Sequence, residues 1–206
     1  TLNFSLTRTA PKSMGKILDP NYFFSRERAY LLLGYAESEF LKAEAALRGW
    51  AGMELTGTAE EYYKSGIKAS MEYYGIANDK AQAYIDGLKT LTTDKVFEGG
   101  DKEKQLEAII TQKWMAIFPN GNEGWAEFRR TDYPALANQL INNSGGDVPM
   151  GKNIKRILYP LSENSNSYFT SHPELLQVNT QGNRLWWDVA DTNDDSGNRV
   201  QPNNFR

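Results

Sequence analysis

The feature that most narrows what this chain can fold into is a helical period that is started and stopped several times. Tyr30, Leu33, Ala36, Phe40, Ala43 and Leu47 recur at steps of three and four residues, the repeat of one face of an α-helix. The spacing predicts a helix over 29–48. Glu37, Lys42, Glu44 and Arg48 fall on its solvated side, and Gly49 stands where a helix ends in left-handed backbone. Thr58 followed by Glu61 is a capping-box signature, and it predicts a second helix running to about Tyr74 and closed by Gly75.

Three further helices follow on the same grounds. One spans about 78–91, starting at Asn78. The next spans about 102–118, with Leu106, Ile109, Ile110, Lys113, Trp114 and Ile117 on one stripe and Pro119 as its stop. A fifth covers about 122–131, with Trp125 and Phe128 three residues apart, and Pro134 is read as opening a further turn through Leu140. Residues 1–28 read as loop with short extended pieces, 29–141 as helical, and 142–206 as loop-rich. In the last part, Ile154–Tyr159 reads as a strand and Glu174–Val178 as a helical turn. No linker separates these parts, so 1–206 is taken as one unit. The first two helices form an αα-hairpin in which Ala59, Tyr63 and Gly66 have the spacing of the second tetratricopeptide-repeat helix, where small residues admit a neighbour. The expected fold is therefore mainly α: repeat-like helical hairpins, long irregular loops and a few short strands.

Composition removes whole classes of function. The chain has no Cys and one His, which excludes a thiol nucleophile, a zinc ribbon and a multi-histidine metal site within it. With 23 basic and 26 acidic residues it lacks the concentrated basic charge of a nucleic-acid binder. No window approaches the length of apolar chain needed to span a bilayer as a helix.

Motifs that suggest chemistry fail on context. Gly146–Asn153 matches G-x4-G-K of a phosphate loop, but it follows a polar stretch and precedes an extended one, and Asn153 replaces the magnesium-binding hydroxyl. Asp191, Asn193 and Asp195 place oxygen ligands at alternate positions, a weak calcium candidate. Glycine falls one position late there, and Pro202 stands where the bidentate Glu belongs, so a solvated acidic turn is the ordinary reading. His172 beside Ser171 lacks any nucleophile signature. No catalytic residue and no cofactor is expected.

The aromatic residues divide into two groups. Trp114, Trp125 and Phe128 fall on helical stripes, and core packing is predicted for them. Trp50, Tyr168, Trp186 and Trp187 lie in or beside loops, as does Phe169. There an aromatic ring either plugs a loop onto the body or offers a flat apolar face to a sugar ring or other ligand. Trp50, Tyr168, Trp186 and Trp187 are the candidate ligand-binding residues. Arg129 and Arg130, in the last turn of the fifth helix, satisfy its carbonyl end or pair with buried carboxylates.

Taken in order, several segments resemble one family. Tyr35–Trp50 (YAESEFLKAEAALRGW) is similar to a helix of the SusD/RagB-like nutrient-binding outer-membrane lipoproteins. So are Ala59–Glu72, Ile110–Trp114, Phe118–Gly121, Glu123–Thr131, Arg156–Pro160 and Arg184–Val189, a match from about residue 30 to 190. The resemblance implies a SusD-like α/α superhelix and a non-catalytic protein at the bacterial outer-membrane surface. It implies a lid on a TonB-dependent barrel, capturing glycans or other oligomeric nutrients. It also implies that 1–206 corresponds to the C-terminal part of a longer domain, with the export signal and the lipid-anchored cysteine outside this chain. Two alternatives stand beside it: a carboxylate-dependent glycoside hydrolase, and a tetratricopeptide-like adaptor that binds peptides.

Overall fold

The computed structural model describes residues 27, 31–52, 54–91, 96–136, 141–174, 179–188 and 203–205. The chain divides into two units, Thr1–Leu33 and Gly34–Arg206. The second holds α1 (Tyr35–Arg48), α2 (Ala59–Tyr73), α3 (Asn78–Leu91), α4 (Lys102–Ala116) and α5 (Gly121–Thr131). A 3-10 turn (Leu161–Ser165) and the short α6 (Ser167–Ser171) follow in the loop-rich part. No helix among the described residues is long and apolar enough to cross a membrane.

Local sequence sets the ends of these helices. The first begins at Tyr35, where Gly34 caps it in extended backbone (φ −86°, ψ 151°), and the expected start at Ala29 lies outside the described residues. Gly49 caps it in left-handed geometry at φ 66°. The Thr58–Glu61 box is formed in both directions, with the Glu61 amide donating to Thr58 Oγ1 at 3.2 Å and the Thr58 amide to Glu61 Oε2 at 2.7 Å. Asp101 and Asn120 accept first-turn amides at the starts of α4 and α5.

The hairpin of α1 and α2 packs most tightly where Phe40 meets Gly66. A Cβ built on Gly66 would stand 2.8 Å from the Phe40 ring, so only glycine lets the two helices approach this closely. Tyr63 meets Phe40 edge-on at 6.3 Å between ring centroids. α1 also packs on α4, and α2 on α3 and α4. Their shared core is Phe40, Ala43, Leu47, Ile67, Ile85, Leu106, Ile109, Ile110 and Tyr133.

Two expectations change. Among the described residues there is no β-strand; 154–159 is extended but pairs with no ladder. Its Lys155 and Arg156 amides both donate to the Gln181 carbonyl, at 2.8 and 3.3 Å, and its other polar groups are used by side chains. Trp125 Nε1 donates to the Ile154 carbonyl, Arg129 to the Lys155 carbonyl, and the Tyr159 amide donates to Asn179 Oδ1. The turns expected to run through Leu140 and through Val178 fall partly outside the described residues.

Candidate functional site

The frame behind the site is ionic as well as apolar. Glu44 of α1, expected on the solvated face, is only 1% exposed. Arg130 of α5 grips both its oxygens, at 2.6 and 2.7 Å, and Arg48 adds a bond at 2.8 Å. Arg130 also reaches Glu127 Oε2 at 2.8 Å, and buried Lys113 of α4 pairs with Glu127 Oε1 at 2.8 Å. Burial alone pushes the Glu44 carboxyl up, but Arg130 and Arg48 outweigh it and hold it below the usual range. Glu37, 4.0 Å from Lys113, goes the other way, because burial outweighs that one partner and raises it. Only part of this network had a signal in the sequence. Lys113 on an apolar stripe needs a buried counter-charge, and Arg130 was one of two arginines already expected to seek carboxylates.

This frame fixes α5, and α5 holds the loop that carries Trp186 and Trp187. The Arg129 guanidinium lies 3.6 Å from the Trp125 ring centroid and 4.8 Å from that of Trp187, a cation between two indoles. Burial pulls Arg129 below its ordinary pKa, with Asp188 opposing. Next to it, Lys155 and Asp188 form a buried pair at 3.1 Å. Gly182 completes the attachment: its amide donates to the Asp147 carbonyl, and a Cβ there would stand 2.8 Å from that same oxygen. Trp187 is therefore half-buried and part of the attachment, whereas Trp186 beside it is 95% exposed.

The other predicted platforms lie apart from this loop in the pattern of contacts. Trp50, 51% exposed, sits just beyond α1 with Arg48 5.8 Å from its ring centroid. Tyr168, 59% exposed, opens α6 and stacks on His172 at 4.4 Å, edge-on to Phe169. Ser171 Oγ lies 3.2 Å from His172 Nδ1, but also 2.9 Å from the carbonyls of Ser167 and Tyr168, where a helical serine ordinarily donates. Asp191, Asn193 and Asp195 lie outside the described residues. Among the described residues no group of three or more His, Asp or Glu is placed to hold a metal ion.

One feature departs from the expected core. Phe128 is buried, but Trp114 is 37% exposed and Trp125 half-buried, and with Phe118, Asn120 and Leu136 they line an open cavity of about 360 Å³. Gly124 makes room for it, since a Cβ there would lie 3.1 Å from Trp114 Nε1. A glycine inside the α5 stripe, directly before Trp125, was the signal that an aromatic ring approaches that face.

Residues 7–188 match the family model SusD-like, described as Susd and RagB outer membrane lipoprotein. The chain belongs to this family. Solved SusD structures agree with the assignment. A chitin-binding SusD homolog from Flavobacterium johnsoniae is 36% identical, over 75% of this chain and 36% of that one, with TM-score 0.60. A SusD homolog from Bacteroides ovatus is 34% identical over 75% of this chain and 37% of its own, with TM-score 0.58. One from Bacteroides vulgatus is 29% identical over 77% and 36%, with TM-score 0.60. The chain thus spans little more than a third of the length of these SusD relatives. No curated protein matches it. The α-helical SusD-like fold is the one the resemblance implied.

Proposed function

We propose that this SusD-family chain captures glycans at the outer-membrane surface, tethered by a lipid anchor, and passes them to a TonB-dependent barrel without cleaving them. The observation that carries the reading is Trp186, almost wholly exposed on a loop that is itself anchored through Trp187, Arg129, Lys155 and Asp188. The anchored loop presents this indole to solvent, so little backbone ordering is needed on binding. Tyr168 and Trp50 are further exposed platforms, and the chitin-binding relative makes an acetylated glycan the first class to try. The hydrolase alternative draws no support from the buried carboxylates. Glu44, Glu127 and Asp188 are each buried against a cation, where a general acid needs access to substrate.

Two measurements test the proposal. A glycan array probed with the protein identifies an oligosaccharide class that it retains. Affinity capture from outer-membrane extract, with the protein as bait, recovers a barrel transporter. Retention of no glycan and recovery only of soluble partners contradict the capture reading and favour the peptide adaptor.

A further inference from the structure

Asn204 and Phe205 return across the body and meet the end of α1, the start of α4 and the end of α5 at once. We propose that they form a strap seated in a site built for an Asn-Phe pair, and that its seating fixes Arg48 against Trp50. The coupling is internal to the chain and holds whatever ligand Trp50 meets.

Asn204 is held through its backbone and its side chain together. Its backbone amide donates to Glu103 Oε2 at 2.9 Å. Its Nδ2 donates to Glu103 Oε1 at 2.5 Å and to the Thr131 carbonyl at 3.1 Å. Its own carbonyl accepts from Arg48 Nη1 at 2.9 Å. Each partner needs what Asn204 brings. Thr131 is the last residue of α5, where helix carbonyls have no intrahelical donor. Glu103, in the first turn of α4, offers two charged acceptors, and Tyr133 of the core donates to its Oε1 as well, at 3.1 Å. The site also selects its residue. Aspartate would set carboxylate against carboxylate at Glu103 and bring no donor to Thr131, and glutamine is a methylene too long for the same bonds. Phe205 follows with its ring packed on the core cluster, 4.9 Å from the Arg48 guanidinium and 5.8 Å from Lys102 Nζ.

Arg48 is where the strap meets the exposed indole. Glu44 holds its Nε at 2.8 Å, the Asn204 carbonyl holds its Nη1, and its guanidinium lies within reach of both the Phe205 and Trp50 rings. The Trp50 backbone is fixed by the last turn of α1, through its amide on the Ala45 carbonyl at 3.2 Å. Its indole is 51% exposed and depends on side-chain neighbours for its orientation. With the strap away, Arg48 keeps Glu44 but loses the Asn204 carbonyl and the Phe205 ring, and its position beside Trp50 relaxes. Seated and released states of the strap therefore present Trp50 differently.

The test uses the full chain carrying Asn204→Ala and Phe205→Ala together. The Trp50 indole N–H resonance, assigned with Trp50→Phe, is expected to shift. Backbone amides of 203–205 are expected to exchange about tenfold faster, while those of the buried Ile109 and Ile110 keep their protection. A peptide of residues 201–206 added in trans is expected to return the Trp50 signal saturably, and the same peptide carrying Asn204→Asp is not. An unmoved Trp50 signal in the double variant overturns the coupling. A peptide without effect, or one that works equally well with Asn204→Asp, overturns the site. The unsubstituted chain supplies a reading that needs no variant to fold: its Asn204 amide is expected to exchange faster than that of Ile109. Equal protection of the two would make 203–205 one more part of the global fold and overturn the strap.

Discussion

The ring of Phe40 lies against the bare backbone of Gly66, so close that a Cβ would stand 2.8 Å from it. The α1–α2 hairpin packs most tightly at this contact. Replacing Gly66 with Ala forces the helices apart or the ring off its rotamer, an overpacking cost of about 1–3 kcal/mol. Better helix propensity returns at most ~1 kcal/mol. We expect Gly66→Ala to be destabilised in urea titration, with a lowered midpoint and an unchanged slope.

Thr58 and Glu61 close α2 from the other end by exchanging bonds with each other's amides. Thr58→Ala removes one of them, and a loss of about 1 kcal/mol is expected. Thermal unfolding followed by circular dichroism reads it. No change would mean that the start of α2 is held by packing alone.

Glu44 and Glu37 predict opposite contributions to pH dependence. The Glu44 carboxyl is held below its ordinary value, so its stabilisation is present above the unfolded carboxylate pKa and disappears as pH falls through the lower folded one. Glu37 is raised, so its ionisation costs stability as pH rises between the unfolded value and the folded one. In the variant Glu44→Gln, Arg130 loses its bidentate partner. Arg130 keeps Glu127, so we expect a loss of about 1–3 kcal/mol at neutral pH and a flatter acid limb of the stability curve. An acid limb as steep as in the parent would remove Glu44 from the account.

Trp186 and Trp187 are adjacent in sequence and opposite in role. Trp187→Ala removes one side of the Arg129 stack and is expected to lower the thermal midpoint and to loosen the loop. Trp186→Ala touches an exposed side chain, so stability should stay within about 0.5 kcal/mol of the parent. Hydrogen exchange over 179–188 separates the two: faster in Trp187→Ala, unchanged in Trp186→Ala.

The helical part of this fold was legible because its signals are local. The capping box, the glycine at position 49 and the three-and-four spacing each act within one or two turns, and the Gly66 reading needed only the neighbouring helix. Glu44 was misplaced for a different reason. Periodicity separates apolar from polar faces, but it cannot register that Arg130, 86 residues later, returns to bury a carboxylate. The extended 154–159 segment failed as a strand on the same principle, since its partners are the side chains of α5 and Asn179 and the single carbonyl of Gln181 rather than a neighbouring strand. For the site, sequence identified loop aromatics but not which indole is anchored and which is free. That distinction depends on where Arg129 lies. The cavity was missed because Trp114 and Trp125 obey the helical period whether they face a packed core or an opening.

The central claim is that this SusD-family chain holds a glycan on exposed aromatic surface and leaves it intact. Titration calorimetry with the oligosaccharide selected on the array, followed by chromatography of the recovered sugar, tests it most directly. The account predicts saturable binding by the parent, binding weakened by about tenfold in Trp186→Ala, and sugar of unchanged length. Shortened products whose formation stops when a single carboxylate is replaced would contradict it.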